Sequence, residues 1–141
     1  MRKTALVLSI LMSLTAFAQK VDLDALRAMV EKGRVSAEYS FMMQGKIHCS
    51  GTITIQQPCF KAVGNGLEIY CDGVSRWTVD REIKEVYIEP AERPDEYIRY
   101  LSDVTDLDIK SVRTEAPGDD TGIFTFDTET LDSSWVVTDL R

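Results

Sequence analysis

Phe60-Lys61-Ala62-Val63-Gly64-Asn65-Gly66-Leu67-Glu68-Ile69-Tyr70-Cys71 is the stretch on which the fold turns. A two-residue Asn-Gly loop between alternating apolar residues is a strong hairpin signal, because the tight turn that matches strand twist needs positive φ at both central positions. This turn pairs Gly64 with Leu67, Ala62 with Ile69, and Phe60 with Cys71. Phe60, Ala62, Leu67, Ile69 and Cys71 then share one face, and Lys61, Glu68, Tyr70 and Asp72 the other. A register shifted by one residue would set Cys59 opposite Cys71 and permit a cross-strand disulfide, but it mixes the faces. Cys71 is thus either a small apolar filler or a disulfide partner.

The same period of two extends outward on both sides. Downstream, Asp72-Gly73 turns the chain, and Trp77 and Val79 alternate with Arg76, Thr78 and Asp80. A second turn over 80–83 leads to Val86 and Ile88, which alternate with Glu85, Tyr87 and Glu89. Upstream, Tyr39, Phe41 and Met43 form one half-buried strand, and Ile47, Cys49, Gly51, Ile53 and Ile55 the next. His48 falls on the polar side of the latter. Two segments have helical period instead. In 21–35, Leu23, Leu26, Met29 and Val30 recur on one face, with Asp22 or Asp24 as N-cap and Gly33 as the stop. In 94–104, Tyr97, Ile98, Leu101 and Val104 do the same after Pro94. Strands are expected again over 107–114, 122–126 and 135–138, the first two separated by Pro117-Gly118-Asp119-Asp120. The predicted architecture is α+β: one strongly curved antiparallel sheet with two helices against its concave face.

The 141 residues, 44% hydrophobic and 28% charged, suit one globular domain. Met1-Arg2-Lys3, the apolar run from Ala5 to Phe17 and the small residues of Ala16-Phe17-Ala18 read as a signal peptide cut after Ala18, rather than a buried helix. The run is too short to span a bilayer comfortably. Gln19 stands where a lipid-anchored protein would carry Cys, so that variant is not expected. Residues 19–141 are therefore expected as a single exported domain. Losing Arg2 and Lys3 takes the net charge from −7 to −9. With no basic run, that charge opposes binding to nucleic-acid phosphates or to an anionic membrane surface.

Catalytic patterns are lacking. No nucleophile elbow, phosphate-binding glycine loop or paired histidines occur. Cys49, Cys59 and Cys71 have no zinc spacing, and their odd number leaves at least one thiol unpaired within the chain. His48 lies on the strand face opposite Cys49, which separates base from nucleophile. Asp80, Glu82 and Glu85 read as a solvated hairpin. No catalytic residue, metal site or cofactor is assigned. The apolar strand residues carry more: Phe41, Met43, Phe60, Leu67, Ile69, Trp77, Val79, Val86 and Ile88 would line the concave face, either as a packed core or as the wall of an apolar ligand cavity.

The stretch from Asn65 through Asp80, followed by Lys84-Glu85-Val86-Tyr87-Ile88, resembles the central strands of the LolA-like outer-membrane lipoprotein carrier family. The shared pattern is a strand, an Asp-Gly turn, a strand with Trp, an acidic turn and a Val/Ile-rich strand; Asp72, Gly73, Trp77, Asp80 and Val86 match it in order. Gly51, the Pro58-Cys59-Phe60-Lys61 segment, the leader and the first helix also fit, so the resemblance covers about residues 20–90. It implies an unclosed β-barrel with an apolar cavity and a helical lid, here Tyr97, Ile98, Leu101 and Val104. It implies a non-enzymatic periplasmic carrier or chaperone that holds lipoprotein acyl chains on their way to the outer membrane. Its partners would be acylated lipoproteins, an inner-membrane release complex and an outer-membrane acceptor, and the carrier would be a monomer. The basic residue with which the family fastens its lid is not carried over, because the turn register faces Lys61 outward. The same fold with a filled core would instead be an exported protein-interaction module.

Overall fold

The computed structural model describes residues 21–141; the expected leader, 1–18, lies outside them. Helix α1 (Leu23–Val30) precedes six strands: β1 (Arg34–Met43), β2 (Ile47–Gln56), β3 (Cys59–Gly64), β4 (Leu67–Cys71), β5 (Ser75–Asp80) and β6 (Glu85–Pro90). Helix α2 (Glu96–Ser102), the long strand β7 (Thr105–Glu115), two short 3₁₀ turns (Thr121–Phe124 and Thr128–Thr130) and β8 (Val136–Asp139) follow. The strands form one eight-stranded sheet in the order β7-β1-β2-β3-β4-β5-β6-β8, and it does not close. The α+β class and the unclosed sheet with two helices agree with the expectation. The sheet is mixed rather than antiparallel, however, because β8 runs parallel to β6. β7 and β8 occupy opposite edges, so the chain between them crosses the sheet, and it brings β8 in running the same way as β6.

Asp22 caps α1, its carboxylate accepting the Ala25 N–H at 2.8 Å. The helix is shorter than the periodic segment 21–35, since Val35 already sits in the ladder opposite Ile55. Gly33 does not act as a left-handed stop. It is small because β7 passes there: an added Cβ would lie 2.4 Å from the carbonyl oxygen of Glu115. The β3–β4 hairpin has the expected register, with Phe60 opposite Cys71, Ala62 opposite Ile69 and Gly64 opposite Leu67. Asn65 and Gly66 supply the positive φ angles of 52° and 77°.

The faces diverge at the next turn. Cys71 pairs with Arg76 and Tyr70 with Trp77. Trp77 and Val79 therefore share a face with Tyr70, not with Phe60 and Cys71. The β5–β6 register, Trp77 opposite Ile88 and Val79 opposite Val86, carries that choice onward. Two cores result. On what we call the helix face, Leu26, Val30, Val35, Ala37, Tyr39, Phe41, Ile53, Ile55, Phe60 and Cys71 pack with Tyr97 and Leu101 of α2. On the reverse face, Tyr70, Trp77, Val79, Val86 and Ile88 pack with Phe126, Leu131 and Trp135 from the segment that crosses to β8, here called the strap. Residues 122–126, expected as a strand, belong to the strap: Thr121–Phe124 is a 3₁₀ turn that buries Phe124. Gln56 fastens its start by exchanging two hydrogen bonds with the Gly118 backbone, both 3.0 Å, and Arg34 adds an ion pair to Asp120 at 2.8 Å. The Arg34 guanidinium also lies 5.5 Å from the centre of the Phe124 ring.

Candidate functional site

The residues expected to line one cavity are divided by the sheet. Phe41 and Phe60 are buried on the helix face, with Ile69 partly buried beside them. Met43 and Leu67 are on that side but beyond the core, 44% and 38% exposed. Trp77, Val79, Val86 and Ile88 lie on the reverse face beneath the strap. The expectation that all of them share one concave face is thus corrected. An even-numbered loop between antiparallel strands pairs odd positions with even ones, and Cys71↔Arg76 encloses four residues. The apolar odd positions of β4 and β5 must then point to opposite sides. Trp77 belongs to the strap core and not to the wall facing the helices.

What the divided pattern leaves on the helix face of β5 is polar. Arg76 and Thr78 sit beside Phe60 and Ile69, and α2 lies across them with Glu96, Arg99, Tyr100 and Asp103 turned toward the same space. Together these residues enclose a groove of about 320 Å³ between α2 and β3–β5. Its floor is apolar at Phe60 and Ile69, and its rim is charged. Arg76, Thr78, Glu96, Arg99, Tyr100 and Asp103 were not singled out from sequence. The loop parity would have found the two on β5, since it puts the polar positions of that strand next to the apolar ones of β4.

Helix α2 is set in place by three contacts. Tyr97 and Leu101 are fully buried in the helix-face core and anchor the helix there. Ile98 and Val104 pack at its margin. Tyr100 meets Tyr39 edge-on, ring centroids 6.1 Å apart, with the two hydroxyls at 3.2 Å. Gly51 and Gly64 make room for that hydroxyl pair: a Cβ on either would lie under 3.0 Å from the Tyr39 oxygen, at 2.7 and 2.9 Å.

The third contact is ionic. Glu96 is only 2% exposed. Its carboxylate accepts the Glu92 N–H at 2.7 Å and stands 3.4 Å from the Arg76 guanidinium. Arg76 also pairs with Glu89. Desolvation works against the Arg76 charge, yet the hydrogen bond and charge of Glu89, with the charge of Glu96, push its pKa up. The Cys71 thiol approaches Glu96 Oε2 at 3.9 Å. Burial, reinforced by the carboxylate of Glu96, raises this thiol to about 11 against a backbone contact at Gly73 that lowers it. Burial likewise pushes Cys59 up, with Asp72 adding to the shift. Thiols held protonated at neutral pH are poor nucleophiles and poor metal ligands. All three cysteines are free, so Cys71 is the apolar filler rather than half of a disulfide. His48 is exposed on the reverse face, as the alternation predicts. Among the described residues, no group of three or more His, Cys, Asp or Glu side chains is placed to hold a metal ion. No helix among them is long and apolar enough to cross a membrane.

No protein-family profile matches this chain, and no curated protein matches it either.

Proposed function

We propose that this chain is a LolA-like, non-enzymatic carrier, exported to the periplasm, that holds an acyl chain of a lipoprotein against the helix face of its sheet. The groove under α2 carries this reading. It has an apolar floor, Phe60 and Ile69, roofed by a short helix, with charged side chains at the rim where a ligand's polar end would lie. Movement of α2 away from the sheet would uncover further apolar surface at Ala62 and Cys71, both buried beside Phe60. The Arg76–Glu96 pair, rather than any contact of Lys61, would then hold the closed position. Lys61 lies on the reverse face with its ammonium 5.0 Å from the centre of the Tyr70 ring. The leader-like residues 1–18 and the Asn65–Ile88 pattern support the same reading.

A second reading has its own observation. Phe60, Tyr97 and Leu101 are fully buried, as in a finished core, which suits an exported interaction module without a ligand. Titrating residues 19–141 with a hydrophobic fluorophore, then displacing it with a synthetic triacylated lipopeptide, separates the two. The carrier reading expects saturable binding that the lipopeptide competes away. It also expects Ile69→Glu to abolish that binding, while Val63→Glu, on the reverse face, leaves it intact. Absence of a saturable site in the folded protein favours the interaction module.

A further inference from the structure

The two edges of the sheet are treated in opposite ways. β7 carries Asp106, Asp108, Lys110, Arg113 and Glu115, and its pairing with β1 is interrupted twice. Asp106 and Ser111 take positive φ at those interruptions, both 54°. The outer side of β7 also receives the Val21 N–H, which donates to the Ile109 carbonyl at 3.1 Å. Charge, bulges and a covering segment are the means by which sheets prevent further strands from adding. β8 carries a single charge, Asp139 at its end, which is paired with Arg141, and it has neither a bulge nor a covering segment among the described residues. Trp135 to Thr138 is uncharged, its register with β6 is regular, and nothing among the described residues pairs with its outer side. Val136, Val137 and Leu140 are 58%, 42% and 57% exposed; Val137 lies on the reverse face with Val86, and Val136 on the helix face with Glu85, the side on which the exposed Tyr87 also lies.

The backbone specifies what fits there. Val136 N–H donates to Lys84 O at 2.9 Å and Leu140 N–H to Ile88 O at 2.8 Å, so the even positions turn inward toward β6. Strand alternation turns the N–H and C=O groups of Val137 and Asp139 outward. Those groups are matched by another extended backbone. Charge indicates which kind. Glu85, Glu89, Asp132 and Asp139 lie about the edge; Glu89 is paired with Arg76 and Asp139 with Arg141, which leaves Glu85 and Asp132 against Lys84, in a chain whose net charge is −7. Lys84 is bonded to Ser134 and Arg141 to Asp139. A second copy of this chain would bring like charges together. A cationic strand would not.

We infer that the outer edge of β8 is a docking edge for an extended, cationic, β-branched segment of another protein, which would add to the sheet as a further strand. The inference is independent of the groove under α2. The probe is a fluorescently labelled synthetic peptide of alternating valine and threonine flanked by lysines, titrated against residues 19–141 by anisotropy. Saturable binding is expected, with slowed amide exchange at Val137 and Asp139. Val137→Pro removes an outward N–H without touching the inward bonds and should weaken binding at least tenfold. If that variant fails to fold, N-methylation of the peptide backbone should produce the same loss with the unaltered protein. Exchanging the peptide's lysines for glutamates should weaken it as well. Binding insensitive to both Val137→Pro and N-methylation, absence of saturable binding, or self-association through β8 in place of peptide binding would overturn the inference.

Discussion

Over β1–β4 the sheet buries its helix face under α1 and α2, and the reverse face of β1 and β2 shows Ser36, Glu38, Ser40, Thr52 and Thr54. Over β5 and β6 it buries the reverse face under the strap, and the helix face shows Arg76, Thr78, Tyr87 and Glu89. β4 serves both halves: Cys71 is in one core and Tyr70, its chain neighbour, in the other. Each half is an ordinary antiparallel sheet with one apolar and one polar side. Joined with the sides exchanged, they place the polar residues of the second half next to the helices of the first. The groove under α2 arises from that exchange, which explains why its floor is apolar and its rim charged.

The comparison can be broken most directly at the helix-face core and at the start of the strap. Phe60→Ala and Phe124→Ala should each cost about 3–5 kcal/mol, since both side chains are fully buried. Their exchange patterns should differ. Phe124→Ala should speed amide exchange across 117–135 and leave 34–56 protected, whereas Phe60→Ala should loosen α2 and spare the strap. Equal loosening of both regions by both variants would mean a single core.

Next comes the ion pair between the halves. Arg76→Ala strands the buried Glu96 carboxylate and should cost about 3–5 kcal/mol. Glu96→Ala should cost less, because Arg76 keeps Glu89 and partial solvent access. Denaturant melts of both variants measure the asymmetry, and equal losses would contradict it. On the strap side, Arg34→Met forfeits the bonds to Gln56 and Asp120 and should cost about 1–3 kcal/mol, a loss expected to be accompanied by faster amide exchange near Gly118.

The smallest effect separates the two sides of β4. Burial holds Cys71 near 11, against 9.0 for an exposed thiol. Burial, with the Glu68 carboxylate accepting the hydroxyl bond, holds Tyr70 near 12, against 10.0. Between each pair of values the unfolded chain has released a proton that the folded chain retains, so stability falls as pH rises. Cys71→Ala should flatten the fall between pH 9 and 11, and Tyr70→Phe that between pH 10 and 12. Thermal melts over this range check both; unchanged slopes would contradict the burial assigned to each.

Local chemistry made much of this readable in advance. Asn65-Gly66 set the central hairpin residue for residue, and helical spacing located both helices, because turn geometry and amphipathic period are properties of a few neighbouring residues. The exchange of sides at 72–75 was also written in the sequence, as loop parity, but apolar period within a strand does not reveal it: Trp77 and Val79 alternate equally well on either side. The path of the strap and the parallel pairing of β8 depend on contacts between residues far apart in the chain, such as Arg34 with Asp120 and Lys84 with Val136. No local pattern encodes those. Glu96 was passed over because its burial follows from where α2 rests, not from its neighbours in sequence.

The crossing between β7 and β8 has a consequence for the order of assembly. Hairpins from β1 to β6 form between near neighbours in sequence, whereas β7 pairs with a strand up to 81 residues earlier (Arg34 with Glu115), and β8 with one 51 residues earlier (Glu85 with Val136) and only after the strap has traversed a face that the hairpins must already provide. Contacts of long sequence separation form late. A chain folding from its amino end would thus present the meander of β1 to β6 with its reverse-face apolar residues, Trp77 among them, wet until the final segment arrives. In refolding experiments, burial of Trp77 should coincide with the slowest phase, whereas protection of Phe60 and its neighbours should precede it.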